Sequence, residues 1–442
     1  MNFVTHHRLA FVLGLLSLMS LFSARAPASK PAAGDWHFQF GSGSAPAGTI
    51  AARANNIYTP AAGFGFEPGT TIADQQGCCT SDHPFFFSVA VPEGNYRVTV
   101  TFGDASGESD NTVRAEARRL MVEHVATKKG ERTQRTFTVN VRRPAIAGGG
   151  AVAVHLRAAS SLTWDDKLTL EFNSARPAID AVDIEPAPDA IVVFIAGDST
   201  VTDQEQEPYT GWGQMLPRFF DPAVSVANYA ESGRALYSFR SERRLDKILS
   251  LARKGDYVLI QFGHNDQKDK RAGAGAFTTS KKDLEQYVDA IRRCDATPIL
   301  VTPMYRRRFD ADGKLQESLG DFPAAVRKVA AEQKVMLIDL HAMSGMLFQT
   351  LGVEGTLKAF VHYPANTFPG QNRPLADDTH FTSYGAYELA RCVIEAIRTG
   401  DLPLAKHLAG DVGPFDPSHP DPVTQWRLPL SPLSPAERPE GS

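Results

Sequence analysis

The sequence predicts an α/β protein with a mostly parallel β-sheet sandwiched between helices, preceded by an all-β sandwich. Two observations lead to this prediction. In the C-terminal half, continuous apolar runs typical of strands buried on both faces alternate with segments of helical periodicity. In the N-terminal half, short runs alternate in polarity with period two and end in turn-rich clusters, as in antiparallel sandwiches.

Composition sets broad limits on the class of protein. The chain has 442 residues, 43% hydrophobic and 22% charged, which is typical of folded globular proteins of about two or three domains. The net charge of −4 gives no basic excess and argues against a nucleic-acid partner. Four cysteines are too few for a disulfide-stapled mini-fold, and their spacing predicts no metal site. Cys294 and Cys392 are either a disulfide or two buried thiols.

The first residues have the pattern of an export signal. His6, His7 and Arg8 precede an apolar run of about fourteen residues, Leu9 to Phe22, which is too short to span a membrane. A small-residue cleavage site, Ala24-Arg25-Ala26, follows. The pattern predicts a signal peptide over residues 1–26 and a secreted, soluble protein with no membrane partner after cleavage. A buried N-terminal helix is the alternative, and periplasmic and extracellular residence are not distinguished.

Short strands fill the region from 35 to 186, which we predict to be the β-sandwich domain. They are expected at Phe85–Val91, Tyr96–Phe102, Thr136–Val141, Ala151–Leu156 and Lys167–Phe172. This region shows no nucleophile paired with a base. Its aromatic residues Trp36, Tyr58 and Trp164 are candidates for stacking on sugars, although such side chains more often belong to a core.

The region from 191 to 400 is predicted to be a second, α/β domain. Apolar strands are expected at Ile191–Ala196, Tyr257–Phe262, Pro298–Thr302 and Val335–Asp339. Helical spacing occurs around Leu284, Val288 and Ile291, around Phe322, Val326 and Val329, and from Ser383 to Arg398. The tail from 401 to 442 is rich in Pro and Asp and is predicted to be extended or poorly ordered.

A candidate nucleophile follows the first apolar strand, in Gly197-Asp198-Ser199-Thr200. Ligands of open parallel sheets bind at the carboxyl ends of the strands. Ser199 is therefore well placed to attack a bound substrate. Taken alone, the tetrapeptide is more typical of a helix cap than of a catalytic turn.

A candidate base lies before the last helix, in Asp377-Asp378-Thr379-His380. A serine hydroxyl needs a base to remove its proton, and histidine suits that task at neutral pH. A carboxylate must hold the imidazole in the correct tautomer. Asp377, three residues before His380, has the spacing to fold back onto the ring, and Asp378 is the adjacent alternative.

Donors for an oxyanion are also available. Gly233, in Asn228-Tyr229-Ala230-Glu231-Ser232-Gly233-Arg234, offers a backbone N–H. Asn265, in Gly263-His264-Asn265-Asp266, offers a side-chain amide. Each loop alone is more typical of a turn. Their order along the chain and their complementary residue types together indicate one site.

These four blocks resemble those of the SGNH (GDSL-type) hydrolases, most closely the rhamnogalacturonan acetylesterases of carbohydrate esterase family 12. The resemblance covers about Ile191 to Arg398. It implies a flavodoxin-like three-layer α/β/α sandwich and activity without metal or cofactor. It further implies Ser199 as nucleophile, His380 as base and Asp377 as its partner, with an oxyanion hole of Ser199 N–H, Gly233 N–H and Asn265. Ala235 departs from the family pattern, in which many relatives have serine.

The upstream half resembles, less specifically, galactose-binding or carbohydrate-binding modules. The implied substrate is an acetylated plant cell-wall polysaccharide, with rhamnogalacturonan favoured by the resemblance and acetylated xylan left open. Oligomeric state is not predicted.

Candidate substrate contacts are Thr200, Arg234, His264 and His362. Arg234 suits a uronic-acid carboxylate, although a structural ion pair is the favoured interpretation. His264 either touches substrate or supports the loop from behind. The run Arg306-Arg307-Arg308 is interpreted as a solvated loop.

Two other functions compete with the acetylesterase. A lipase of the same superfamily needs an apolar acyl groove, and no amphipathic lid helix is apparent. A non-catalytic glycan-binding protein is disfavoured by the intact Ser199, Asp377, His380 and Asn265.

Overall fold

The computed structural model describes residues 34–154 and 162–440. The predicted signal peptide lies outside the described residues. Within those residues, no helix is long and apolar enough to cross a membrane.

The N-terminal half folds into two facing sheets, which are antiparallel except for the parallel pair Trp36–Phe40 and Ile50–Ala52. Its strands are β1 Trp36–Phe40, β2 Ile50–Ala52, β3 Phe64–Phe66, β4 Ala73–Gln75, β5 Cys78–Thr80, β6 Phe85–Ala90, β7 Gly94–Phe102, β8 Ser109–Ala115, β9 Arg119–Thr127, β10 Thr133–Val141, β11 Lys167–Arg176 and β12 Ala178–Pro186. A five-stranded sheet in the order β3-β6-β11-β8-β9 packs against β2-β1-β12-β7-β10. Residues that alternate along β7 enter the shared core, among them Val98 and Val100. Period-two patterning therefore produces a sandwich, as predicted.

The C-terminal half alternates strands and helices. The strands are β13 Ile191–Gly197, β14 Val224–Asn228, β15 Tyr257–Gln261, β16 Thr297–Val301, β17 Met336–Ile338, β18 Phe360–Tyr363 and β19 Leu375–Phe381. The helices are α1 Trp212–Met215, α2 Leu236–Ser241, α3 Arg244–Leu251, α4 Lys281–Arg292, α5 Phe322–Gln333, α6 Leu340–Ala359 and α7 Ser383–Thr399. Strands β13 to β17 are all parallel, in the order β17-β16-β15-β13-β14.

The parallel sheet is covered on both faces. Val193 and Ile195 of β13 pack into a core that contains residues of α1, α6 and α7. Val192 and Phe194 point to the opposite face, into a core with residues of α2 to α5. Because successive strand residues face opposite sides, both sets must be apolar. The predicted three-layer α/β/α class and the preceding all-β sandwich are confirmed.

One sheet runs through both halves. Strand β10 pairs in parallel with β14 at Val139 and Val226, which joins the sandwich strands to the parallel strands in a twelve-stranded sheet. The sandwich and the α/β layers are therefore continuous here, and the domain boundaries at 186 and 191 remain predictions.

A buried arginine of the sandwich supports the loop that follows Ser199. The Arg118 guanidinium donates to the backbone oxygens of Gln204 and Tyr209 at 3.1 and 2.9 Å, and pairs with Glu207 at 2.5 Å. The Gln204 amide in turn donates to the backbone oxygen of Ser199 at 2.6 Å. A short chain of hydrogen bonds therefore couples the sandwich to the candidate nucleophile.

The predicted strand Ala151–Leu156 is wrong for its described part. Ala151 forms only an isolated bridge with Ala145, and residues 152–154 form no strand. Val152 instead packs into the core beside the parallel sheet, together with Ile146 and Trp164. Apolar side chains in this segment therefore bury against the α/β layers. Residues 155–161 lie outside the described residues.

The aromatic candidates differ in their surroundings. Trp164 is buried edge-on to Tyr229, with the Arg142 and Arg244 guanidiniums over its ring. It therefore belongs to the core where the halves meet, rather than to a sugar platform. Tyr58 is half-buried, with the Lys167 ammonium 4.8 Å from its ring centre. Cys294 and Cys392 are both free thiols.

Candidate active site

Ser199 lies in a tight turn directly after β13. The backbone N–H groups of Val201 and Thr202 both donate to Asp198 O, so the chain turns immediately at the strand end. A Cβ at Gly197 would lie 2.7 Å from Val201 Cγ2, which explains why glycine precedes the turn. The turn places the Ser199 side chain at the carboxyl edge of the parallel sheet.

Ser199, His380 and Asp377 form one hydrogen-bonded chain. His380 Nε2 lies 2.8 Å from Ser199 Oγ, and His380 Nδ1 lies 2.9 Å from Asp377 Oδ2. A carboxylate oxygen only accepts, so Nδ1 carries the proton and Nε2 accepts from the serine hydroxyl. All three residues are 2–3% exposed. The arrangement allows the imidazole to take a proton from Ser199 as its oxygen attacks.

Asp377 is held by backbone groups of its own strand, β19. Its Oδ1 accepts the backbone N–H groups of Thr379 and His380 at 2.9 and 3.0 Å. Burial alone would raise the pKa of Asp377. The hydrogen bond and charge of His380, with the two backbone donors, outweigh burial and hold that pKa well below its usual range. The carboxylate is therefore charged throughout the neutral range.

Asp378, the alternative partner, points elsewhere. Its Oδ1 lies 2.9 Å from His362 Nε2 and 3.2 Å from Arg307 Nη1. The structure thus brings Asp377 to His380 and uses Asp378 to join the β18–β19 hairpin to the Arg307 loop. His362 lies on β18 and is held there by Asp378.

The three candidate oxyanion donors come from loops after adjacent strands. Ser199 follows β13, Gly233 follows β14 and Asn265 follows β15. Gly233 has φ +78°, a left-handed conformation that favours glycine. In the part of the chain that the structure describes, the N–H groups of Ser199 and Gly233 donate to no protein acceptor. Asn265 Nδ2 donates to Arg234 O at 3.2 Å, which leaves its second hydrogen for another acceptor.

Two of the candidate substrate contacts are buried and occupied by protein partners. Thr200 is fully buried, and its hydroxyl donates to Asp198 Oδ1 at 2.7 Å. His264 is 2% exposed, with Nε2 lying 3.2 Å from Met304 Sδ. For His264 this geometry agrees with support of the loop from behind.

His264 predicts a pH dependence of stability. Burial, with the positive charge of Arg306, holds the pKa of His264 well below its ordinary value. Below about pH 6.5 the unfolded chain therefore binds a proton that the folded chain does not. We expect the free energy of unfolding to fall by about 1.4 kcal/mol per pH unit more in the wild type than in His264→Gln, from pH 6.5 downward. Urea titrations of both proteins at several pH values measure this difference, and parallel curves would contradict it.

Arg234 is buried in ion pairs, as the favoured interpretation predicted. Its Nε donates to Glu242 at 2.8 Å, and its Nη1 donates to Glu440 at 2.9 Å. Burial disfavours the cation, but the hydrogen bonds to Glu440 and Glu242 outweigh it and raise the pKa of Arg234.

Two tail residues reach the site, and the sequence analysis missed both. Besides Glu440, Arg438 Nε donates to Asp377 Oδ2 at 3.0 Å. This is the oxygen that accepts from His380. A Pro-rich tail offers no periodic pattern from which such a contact could have been found.

The Arg306–Arg308 run is solvated only at Arg308. Arg306 follows β16 and donates through Nη2 to His264 O at 3.3 Å, so the solvated interpretation is wrong for it. Burial lowers the pKa of Arg306, and the charges of Asp198 and Asp377 oppose that effect. Its cation therefore lies within electrostatic reach of the triad.

A cleft adjoins Ser232, at the edge of the Gly233 loop. Its walls are mostly hydroxyl, amide and carboxylate side chains: Thr163, Thr202, Asp203, Gln204, Glu205, Gln206, Glu231, Ser232, Glu437 and Glu440, with Trp164 and Ala230. Among residues 34–154 and 162–440, no group of three or more His, Cys, Asp or Glu is arranged to hold a metal ion.

The sequence that forms this fold matches a family of ester hydrolases. Residues 195–386 match the GDSL-like lipase/acylhydrolase family. The chain belongs to this family and is a carboxylic-ester hydrolase.

Three of the similar curated proteins come from Bacillus subtilis. The chain is 40% identical over 225 residues to rhamnogalacturonan acetylesterase RhgT, covering 50% of this chain and 96% of RhgT. It is 33% identical over 219 residues to the probable rhamnogalacturonan acetylesterase YesY, covering 49% and 96%. It is 27% identical over 381 residues to the uncharacterized esterase YxiM, covering 82% and 90%. The crystal structure of YxiM aligns with 83% of this chain and 98% of its own, at 26% identity and a TM-score of 0.44.

Proposed function

We propose that the protein is an exported carbohydrate O-acetylesterase that acts on acetylated rhamnogalacturonan through an acyl-enzyme on Ser199. The observation that carries the proposal is the 2.8 and 2.9 Å chain from Ser199 through His380 to Asp377. The 40% identity to RhgT over 96% of that esterase supports the substrate.

In the proposed reaction, His380 Nε2 takes the Ser199 proton while Oγ attacks the acetyl carbonyl. Asp377 holds the proton-bearing Nδ1 and stabilises the imidazolium that forms. The N–H groups of Ser199 and Gly233 and the Asn265 amide donate to the oxygen as it becomes negative. The sugar hydroxyl leaves with the proton from His380. A water molecule, activated by the same base, then hydrolyses the acetyl-enzyme and restores Ser199.

The cleft beside Ser232 favours a sugar over a fatty acyl chain. Its walls carry mostly hydrogen-bonding side chains, which match the hydroxyl groups of a saccharide. A lipase needs an apolar groove for its acyl chain.

Asn265→Ala is expected to lower kcat by about 10²- to 10³-fold, because one oxyanion donor is lost. KM should change little, since the donor acts mainly on the tetrahedral intermediate. Steady-state kinetics on 4-nitrophenyl acetate measure both constants. Turnover close to that of the wild type would contradict the assignment of Asn265.

The substrate is tested by acetate release from acetylated rhamnogalacturonan fragments, acetylated xylo-oligosaccharides and a long-chain 4-nitrophenyl ester. We expect the highest kcat/KM on the rhamnogalacturonan fragments. Preference for xylo-oligosaccharides would reassign the polymer, and preference for the long-chain ester would indicate a lipase. Fragment binding without hydrolysis of any ester would indicate a glycan-binding protein.

Export is inferred from the apolar run Leu9–Phe22 and the site Ala24-Arg25-Ala26. N-terminal sequencing of protein secreted by a bacterial host tests it. A mature chain that begins at Pro27 is expected, and an intact Met1 would contradict export through this signal.

A further inference from the structure

The last residues of the described chain lie against the active site. We call residues 435–440 the C-terminal strap. Arg438 Nε donates to Asp377 Oδ2 at 3.0 Å, and the Glu440 carboxylate accepts from Arg234 Nη1 at 2.9 Å. Both are charge-assisted hydrogen bonds, which are stronger than neutral ones. The last three residues of the strap are therefore bound at two points of the active site, Asp377 and Arg234.

The strap is held in position by a buried anchor just before it. Ser431 N donates to Glu207 at 3.0 Å, and its hydroxyl donates to Glu171 at 2.7 Å. Asn173 Nδ2 donates to Leu430 O at 2.9 Å. Ser431 is buried, as are Glu171 and Glu207. The anchor therefore fixes the position at which the strap begins. Its partners belong to both halves of the protein.

The strap contacts two segments of the active site, the loop after β14 and strand β19. Glu440 backbone and Cβ atoms lie 3.3–3.5 Å from where a Cβ at Gly233 would be, on the loop after β14. Arg438 contacts Asp377 on β19. Three consecutive residues span at most about 7 Å between their first and last Cα atoms. His380 links Asp377 to Ser199 by hydrogen bonds, and both Ser199 and His380 are nearly fully buried.

A polysaccharide acetylated in its interior must extend away from Ser199 in both directions. A segment bound to both Asp377 and Arg234 obstructs one of those directions. Acetylated chain ends and short oligosaccharides need only one open side.

We propose that the C-terminal strap determines substrate size, closing one side of the active site so that the enzyme deacetylates short oligosaccharides and chain ends in preference to the interior of a polymer. This inference rests on the proposed carbohydrate acetylesterase function. The strap lies beyond residues 195–386, which match the family.

The test compares kcat/KM for three substrates in the wild type and in a chain that lacks residues 435–442 but retains the Ser431 anchor. The substrates are high-molecular-mass acetylated rhamnogalacturonan, its short acetylated fragments and 4-nitrophenyl acetate. Removal of the strap is expected to raise the polymer-to-fragment ratio of kcat/KM by about tenfold or more, because the polymer no longer displaces two charge-assisted hydrogen bonds. Arg438→Gln and Glu440→Gln each weaken one of these two hydrogen bonds. Each should raise the polymer-to-fragment ratio by a smaller amount.

Arg427→Gln is the matched control. Arg427 lies in the same tail, but among residues 34–154 and 162–440 it donates only to the backbone oxygens of Thr424 and Trp426. The ratio should therefore stay at the wild-type value. An unchanged ratio in the truncated chain, with normal fragment and 4-nitrophenyl acetate hydrolysis, would overturn the strap inference alone. Loss of 4-nitrophenyl acetate hydrolysis in a folded truncated chain would also overturn it, since the strap would then serve the chemical step. A wild type that releases acetate from none of the three would overturn the proposed function and this inference with it.

Discussion

Replacement of Ser199 by alanine is expected to reduce kcat on acetyl esters by on the order of 10⁵- to 10⁶-fold, to the level set by the remaining binding and oxyanion groups. The reason is chemical: alanine has no oxygen to form the acyl-enzyme, and no other hydroxyl donates to His380 Nε2 among the described residues. The Ser199 side chain is nearly buried and small, so its loss removes one hydrogen bond without a large cavity. The variant should therefore remain folded.

Two controls accompany this variant. One checks that the protein stays folded, and the other that a serine substitution elsewhere leaves the kinetics unchanged. Thermal unfolding of Ser199→Ala should resemble that of the wild type within a few degrees. Ser418→Ala, at an exposed turn, should keep wild-type kinetics. Residual activity of Ser199→Ala above one per cent, after contaminating enzyme is excluded, would contradict a nucleophilic role for Ser199.

The second large effect is expected for Asp377→Asn, with a fall in kcat of about 10⁴-fold. Asp377 Oδ1 accepts two backbone N–H groups, so the asparagine oxygen takes that position and its NH₂ group replaces Oδ2. The NH₂ group then faces His380 Nδ1 and favours the tautomer in which Nδ1 accepts. In that tautomer Nε2 carries the proton and is unable to receive one from Ser199.

Asp378→Asn is the matched control for this change. The same substitution one residue away removes a charge that pairs with His362 and Arg307, 2.9 and 3.2 Å away, and leaves the triad intact. It should lower kcat by less than about tenfold, since exposed ion pairs contribute little. Kinetics on 4-nitrophenyl acetate at neutral pH measure both variants. Equal losses in the two would mean that Asp377 has no special role in holding His380.

Much of the fold could be predicted because its signals are local. The continuous apolar run at Ile191–Ala196 and the helical spacing of Leu284, Val288 and Ile291 each describe one element, and the structure contains both as β13 and α4. Pairing between distant strands has no such signal. The contact of Val139 with Val226, which joins the two halves into one sheet, depends on packing rather than on either sequence segment.

The candidate site was predictable for a related reason. Its residues follow strands or precede a helix, and the carboxyl edge of a parallel sheet brings such loops together. The choice of Asp377 over Asp378 depended on the reach of a three-residue spacing, and the structure brings Asp377 to His380.

The residues whose roles the sequence did not reveal have charged side chains. Such side chains are ordinarily predicted to be solvated. Arg118 is buried because its partners, Glu207 and two backbone oxygens, come from residues 86 to 91 positions later in the chain. Arg438 and Arg306 reach the site from a tail and a loop with no periodic pattern. A charge pairs only after tertiary structure has formed, so composition alone indicates a surface position.

The most direct test of the account is to trap the acyl-enzyme. The wild type is mixed with acetylated rhamnogalacturonan fragments, quenched in acid during the first turnovers, digested and analysed by mass spectrometry. We expect one acetyl group per chain, located on Ser199 and absent from a parallel Ser199→Ala sample. Acetate release at the wild-type rate by Ser199→Ala, or a trapped acetyl group on another residue, would contradict it.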